Sequence, residues 1–118
     1  MTTNTDRMSA HVTIRFDKVV TNLGGHYNPH SGNFVAPVTG YYVFYWQTTA
    51  YGKYKSYAIL MVDGHNYGRS LTTGTEHHLH GAGNMAIVRV LKSQHVWIQT
   101  FTESSIHVGS SFSGYLLY

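Results

Sequence analysis

Apolar and polar positions alternate only weakly along this chain, and the places where alternation fails are the informative ones. A strand with one face in a core and one in water takes apolar and polar residues in turn. The run YYVFYWQTTA, residues 41–50, does not. Tyr42, Phe44 and Trp46 point one way, Tyr41, Val43 and Tyr45 the other, and both sets are apolar or aromatic. The closing run FSGYLLY repeats this, with Phe112, Leu116 and Tyr118 opposite Tyr115 and Leu117, and VWIQTF at 96–101 does so more weakly. One face of such a sheet fills a core. The other needs a cover, and a subunit interface supplies one. The competing reading is that tyrosines tolerate exposure through their hydroxyls.

Short runs rich in Val, Ile, Tyr, Phe, Trp and Thr recur between turn residues. They predict strands near 11–16, 19–22, 33–36, 40–50, 56–62, 66–72, 84–91, 95–102 and 111–117. Asp63-Gly64, between AILMV and HNYG, is a hairpin signal. No window holds a helical apolar period for three turns, so the chain reads as all-β, a sandwich or barrel. Its 118 residues form one domain over 11–118, behind a loose tail at 1–10.

Composition narrows the function classes. Cysteine is absent, which excludes disulfides, thiolate metal sites and a cysteine nucleophile. The net charge is +3 and the eight basic residues are scattered, with Lys53 and Lys55 the densest cluster, unlike a nucleic-acid-binding face. No stretch reaches transmembrane length, so membrane insertion is not expected, and the start MTTNTDRMSA lacks the apolar region of a signal peptide. Charged residues make up only 11% of the chain, against ten tyrosines and nine histidines. A small monomer normally covers itself with more charge, which again suggests burial against other copies.

Three segments carry candidate chemistry. YGKYKSY at 51–57 interleaves Tyr51 and Tyr54 with Lys53 and Lys55, and HNYGR adds Tyr67 and Arg69. Aromatic faces stack on sugar rings while cations attract sialate, sulfate or phosphate, so these six residues are candidate ligand contacts. Bracing tyrosines and solubilising lysines are the plainer account. EHHLHGAG at 76–83 places His77, His78 and His80 near Glu76, a donor set suited to zinc or another divalent transition metal; the alternative is a solvated loop with titrating histidines. No carboxylate pair is visible, GSSFSG is not a nucleophile elbow, and GAGNMA lacks the strand–helix setting of a dinucleotide fingerprint. Catalysis is therefore not expected.

The segment IRFDKVVTNLGGHYNPHSGNFVAPVTGYYVF supplies Phe16, Val19, Asn22, Gly25, Tyr27, Gly32, Phe34, Pro37, Gly40, Tyr42 and Phe44 in order. With VWIQTF and FSGYLLY, it resembles the globular head of the complement C1q family, within the C1q/tumour necrosis factor superfamily. The resemblance covers about 11–118. It implies a ten-stranded jelly-roll sandwich forming a homotrimer, with Tyr41, Val43, Tyr45, Tyr115 and Leu117 at the trimer interface. It implies Tyr27 and Phe34 as core anchors and a secreted, lectin-like pattern receptor of innate immunity that binds glycans or anionic microbial surfaces. The chain has no collagen-like stalk and so looks like the stand-alone members found in invertebrates. Family-type calcium is poorly supported, since LTTGTEHHLHGAG offers only Glu76 as a carboxylate. No cofactor is required on this reading. A histidine-rich metal-binding protein and a cytokine-like receptor ligand are the alternatives.

Overall fold

The computed structural model describes residues 6–16, 22–51, 54–73, 79–106 and 110–118. Among them, ten strands form: β1 (Asp6–Met8), β2 (Tyr27–Asn28), β3 (Asn33–Val35), β4 (Gly40–Tyr51), β5 (Lys55–Val62), β6 (His65–Thr73), β7 (Leu79–Val90), β8 (His95–Thr100), β9 (Ser104–Ile106) and β10 (Ser111–Leu116). The only helix described is a 3₁₀ turn at Leu23–Gly25. One antiparallel sheet runs β10-β4-β7, a second runs β2-β3-β8-β5-β6, and β1 pairs with β9. The two larger sheets pack as a jelly-roll sandwich.

The aromatic strand β4 organises the core. Its inward residues Tyr42, Phe44 and Trp46 are almost completely buried. Tyr42 and Phe44 stack at 6.0 Å, Phe44 stacks on Phe112 at 5.9 Å, and Phe34 meets Tyr42 and Phe44 edge-on at 5.7 Å. Ala58, Leu60 and Val62 of β5, Val88 and Val90 of β7, and Val96 and Ile98 of β8 complete the packing. Buried polar atoms in this layer are matched: the Tyr42 hydroxyl donates to Val38 O at 2.7 Å and the Trp46 indole N–H to Ser70 Oγ at 3.1 Å.

The GGHYNPHSGNF stretch is a structural connection. Tyr27 and Phe34 lie opposite each other in the β2–β3 ladder and both pack on the core. The Asn22 side chain brackets Tyr27, its amide donating to Tyr27 O at 2.7 Å and its carbonyl accepting from Tyr27 N at 3.2 Å. The Tyr27 hydroxyl in turn accepts the Phe16 N–H at 3.0 Å. His30 is exposed and His26 half-buried.

At Asp63-Gly64 both residues take positive φ, 46° and 88°, the two left-handed positions of a type I′ hairpin. Gly114 faces Phe44 directly across the β10–β4 ladder, and a Cβ there would lie 2.5 Å from the Phe44 ring. The glycine lets that ring reach over the strand into the Phe112 stack. Gly114→Ala should therefore lower stability by about 1–3 kcal/mol through overpacking. Denaturant titration checks this; an unchanged midpoint would mean that the ring yields freely.

Several expectations differ from the structure. Residues 6–8, read within a loose tail, form β1 against β9. The segment at 11–16 is not a continuous strand: Thr13 bridges Gln99, and Ile14 N–H donates to Ile98 O at 2.8 Å. Most of the 19–22 strand lies outside the described residues. Strand β7 begins at Leu79, not 84, because the long β4 offers it twelve partners and the pairing of Gln47 with Gly83 and Thr49 with Gly81 outweighs the turn preference of glycine. Leu116 and Tyr118, expected on the core face, are 46% and 79% exposed, since the core ends before them.

Candidate recognition surfaces

Two sheet faces point away from the core, and they differ in chemistry. On the three-stranded sheet the register sets Tyr115, Val43 and Ile87 in one row across β10, β4 and β7, with Ser113, Tyr45 and Met85 in the next. Tyr41 pairs with Arg89, and Leu117 keeps the ladder past β10 by donating its N–H to Tyr41 O at 2.8 Å. The five interface candidates thus share one face. Tyr115 is 62% exposed, and Tyr41, Tyr45 and Leu117 are also exposed, while Val43 is buried between its neighbours. Met85 and Ile87, at 56% and 57% exposure, belong to the same patch, although no pattern in the sequence singles them out. Tyr45 lies along the sheet over Gly83, its hydroxyl donating to Gln47 Oε1 at 3.3 Å.

The outward face of the five-stranded sheet is mixed. On β5 Ser56, Ala58, Leu60 and Val62 face the core while Lys55, Tyr57, Ile59 and Met61 take the opposite face, where Ile59 and Met61 are themselves buried and Lys55 and Tyr57 reach solvent. On β6 Arg69, Leu71 and Thr73 face outward, and Tyr67 is the exposed extra residue of a bulge between Asn66 and Gly68. Register opposes Lys55 to Thr73, Tyr57 to Leu71 and Ile59 to Arg69. Phe101 N–H donates to Tyr57 O at 2.9 Å, so Phe101 continues the Tyr57–Leu71 row.

Of the six proposed ligand contacts, Lys55, Tyr67 and Arg69 lie on the β5–β6 pair, but Lys55 stands opposite Thr73 at one end, whereas Tyr67 sits near the other, between the residues that oppose Leu60 and Met61. Lys55 and Tyr67 are exposed. Tyr54 is exposed at the approach to β5. Tyr51 ends β4 opposite Leu79, and its side chain, like all of Lys53, lies outside the described residues. The face also holds residues that the sequence did not single out. Tyr57 and Phe101 stack at 4.8 Å, and Arg69 Nη1 donates to the Tyr57 hydroxyl at 3.1 Å.

Of the three candidate metal ligands, His77 and His78 lie outside the described residues. His80 is exposed near the start of β7, opposite Ala50. Among the described residues no group of three or more histidines or carboxylates could hold a metal ion. No helix described is long and apolar enough to cross a membrane.

The C1q domain family model matches residues 1–117. Mouse complement C1q tumor necrosis factor-related protein 2 is 32% identical over 112 residues, covering 89% of this chain and 37% of that protein. One human complement C1q subcomponent protein is 27% identical over 114 residues, covering 90% of this chain and 44% of that protein. The chain thus spans less than half the length of these relatives. Among solved structures, the globular domain of zebrafish complement 1qA protein superposes with a TM-score of 0.74 at 18% identity, over 98% of this chain and 96% of that one. Eiger TNF from S. frugiperda also reaches 0.74, at 12% identity, over 94% and 83% of the two chains. At these identities the structural likeness establishes the fold alone.

Proposed function

The chain belongs to the C1q domain family, and from that membership we propose a non-catalytic, extracellular recognition module of the innate-immune type. It works as a homotrimer that binds glycans or other anionic groups on microbial surfaces. The observation carrying this reading is the division of labour between the two outward faces. One is apolar and suited to self-association; the other sets Lys55 and Arg69 beside the rings of Tyr57 and Phe101. A trimer repeats the second face three times, so contacts in the millimolar range become useful through avidity.

Binding to multivalent anionic glycans is expected, with little affinity for free monosaccharide. Added salt should weaken it, because solvent-facing charges at Lys55 and Arg69 are screened. Replacing Tyr54 and Lys55 together by alanine should reduce cell-surface binding about tenfold or more, since avidity multiplies the loss at each of three sites. Sedimentation of the double variant should match the parent. Equal agglutination by the two proteins would move the ligand elsewhere, and a parent that binds no anionic surface would end the lectin reading in favour of a protein partner.

A further inference from the structure

A band of aromatic and apolar side chains crosses the outer face of the five-stranded sheet, flanked along the strands by two cations. Phe101, Tyr57 and Leu71 form one cross-strand row. Two residues along β5 stands Lys55, and two residues back along β6 stands Arg69, so their backbone positions lie about 7 Å from the row on opposite sides. Three adjacent strands give the row a width of about 10 Å, enough for one pyranose ring and part of the next.

The row is rigid and its polar groups are pre-aimed. The Tyr57 N–H donates to Ser104 Oγ at 3.1 Å, fixing the strand beneath the ring. His11 closes the far end, its ring edge-on to Phe101 at 6.2 Å. That histidine holds a left-handed φ of 59°, unusual for a side-chain-bearing residue, with its N–H donated to Thr100 O at 2.8 Å. Because Arg69 donates to the Tyr57 oxygen, that hydroxyl keeps its own proton to give. Arg69 spends one N–H on the tyrosine and retains the rest of its fork. A guanidinium and a phenol O–H held side by side present donors to the two oxygens of one carboxylate, the planar geometry that arginine matches best.

We propose that this shelf is the binding subsite for a carboxylated sugar: the pyranose stacks on Phe101 and Tyr57, its carboxylate is held by Arg69 and the Tyr57 hydroxyl, and Lys55 attracts the next charge along the chain. The assignment rests on the glycan-recognition reading above and adds to it the class of sugar and its seat. Charge complementarity favours this occupant, since the shelf carries cations on both flanks in a chain of net charge +3.

Polygalacturonate, its carboxyl-reduced product, polysialate and dextran sulfate, each immobilised, form the test panel. The parent protein should bind polygalacturonate or polysialate at least tenfold more tightly than the reduced polymer or dextran sulfate, and the tighter of the first two identifies uronate or sialate. Arg69→Lys keeps the charge but loses the fork. It should cost about tenfold toward the carboxylated polymers and little toward dextran sulfate. Tyr57→Phe keeps the stack and removes the donor, for a several-fold loss with the same selectivity. Phe101→Ser should weaken every sugar polymer alike. Both conservative variants should unfold at the parent's temperature, so their losses report on the site. Equal affinity for dextran sulfate, or shelf variants that bind like the parent while the Tyr54/Lys55 double variant fails, would overturn this assignment and leave the recognition reading in place. A parent that binds none of the polymers would overturn both.

Discussion

Trp46→Ala is expected to cost about 3–5 kcal/mol of stability, among the largest effects available to a single substitution in this domain. Trp46 projects from β4 across the sandwich and is completely buried. Its indole lies against β6, where a Cβ on Gly68 would come within 2.9 Å of the ring, and its N–H donates to the buried Ser70 Oγ at 3.1 Å. One side chain therefore ties the two sheets by packing and by a hydrogen bond. Truncation removes the apolar contact, leaves a cavity that two stiff sheets cannot collapse, and orphans a buried hydroxyl. For a domain of this size the melting temperature should fall on the order of 15 °C.

Trp46→Phe separates the two contributions. It keeps most of the ring and loses the donor, so it should cost about 1–3 kcal/mol, the penalty of an unsatisfied buried hydroxyl plus a smaller void. Restoring part of that loss by Ser70→Ala in the Trp46→Phe background would identify the hydrogen bond as the cause, because the orphaned hydroxyl is then gone. Denaturant unfolding at fixed protein concentration reads all three variants, a necessary precaution where assembly makes apparent stability concentration-dependent. A Trp46→Ala protein that melts with the parent would mean that the sheets are held together elsewhere.

The inward face of β4 was legible because a run of alternating aromatic residues leaves little choice about what fills the core. The Asp63-Gly64 hairpin was legible because few residue pairs take two left-handed positions at low cost. What escaped the sequence depends on register. Met85 and Ile87 fall within the expected 84–91 strand, but only its register with β4, which opposes them to Tyr45 and Val43, puts them on the apolar outer face. The three residues of the shelf's cross-strand row stand at positions 57, 71 and 101 and meet only when β5, β6 and the end of β8 lie side by side. No spacing along the chain reveals that row. A partial signal existed in KSYAILMV, where outward Lys55 and Tyr57 alternate with buried residues. Strand β9 was missed for a different reason: Ser104 and Ser105 read as a polar loop, yet both are buried. Tyr57 N–H finds Ser104 Oγ, and Ser104 Oγ donates to Thr102 O at 2.9 Å, so the first serine repeats the work of backbone groups.

Ile87→Glu is expected to convert a trimer into folded monomers at micromolar concentration, the largest change in assembly that one residue can make here. Ile87 sits in the row Tyr115–Val43–Ile87 and projects into the uncovered face. It is a sharper probe than Tyr45, whose ring is already spread over Gly83 and engaged with Gln47. A threefold assembly buries the new carboxylate three times, each unpaired in an apolar contact, at several kcal/mol apiece. The isolated fold should survive, because Ile87 is 57% exposed and stands outside the sandwich core. Leu71→Glu is the matched control: at 53% exposure it is as open as Ile87, yet it lies on the opposite sheet. Sedimentation should give monomer for Ile87→Glu and trimer for Leu71→Glu, with closely similar far-ultraviolet circular dichroism. The reverse outcome would make the five-stranded sheet the contact surface and bury the proposed sugar shelf within it. A parent that sediments as a monomer would leave the aromatic face of β4, β7 and β10 open to water, with its tyrosines exposed for their hydroxyls alone.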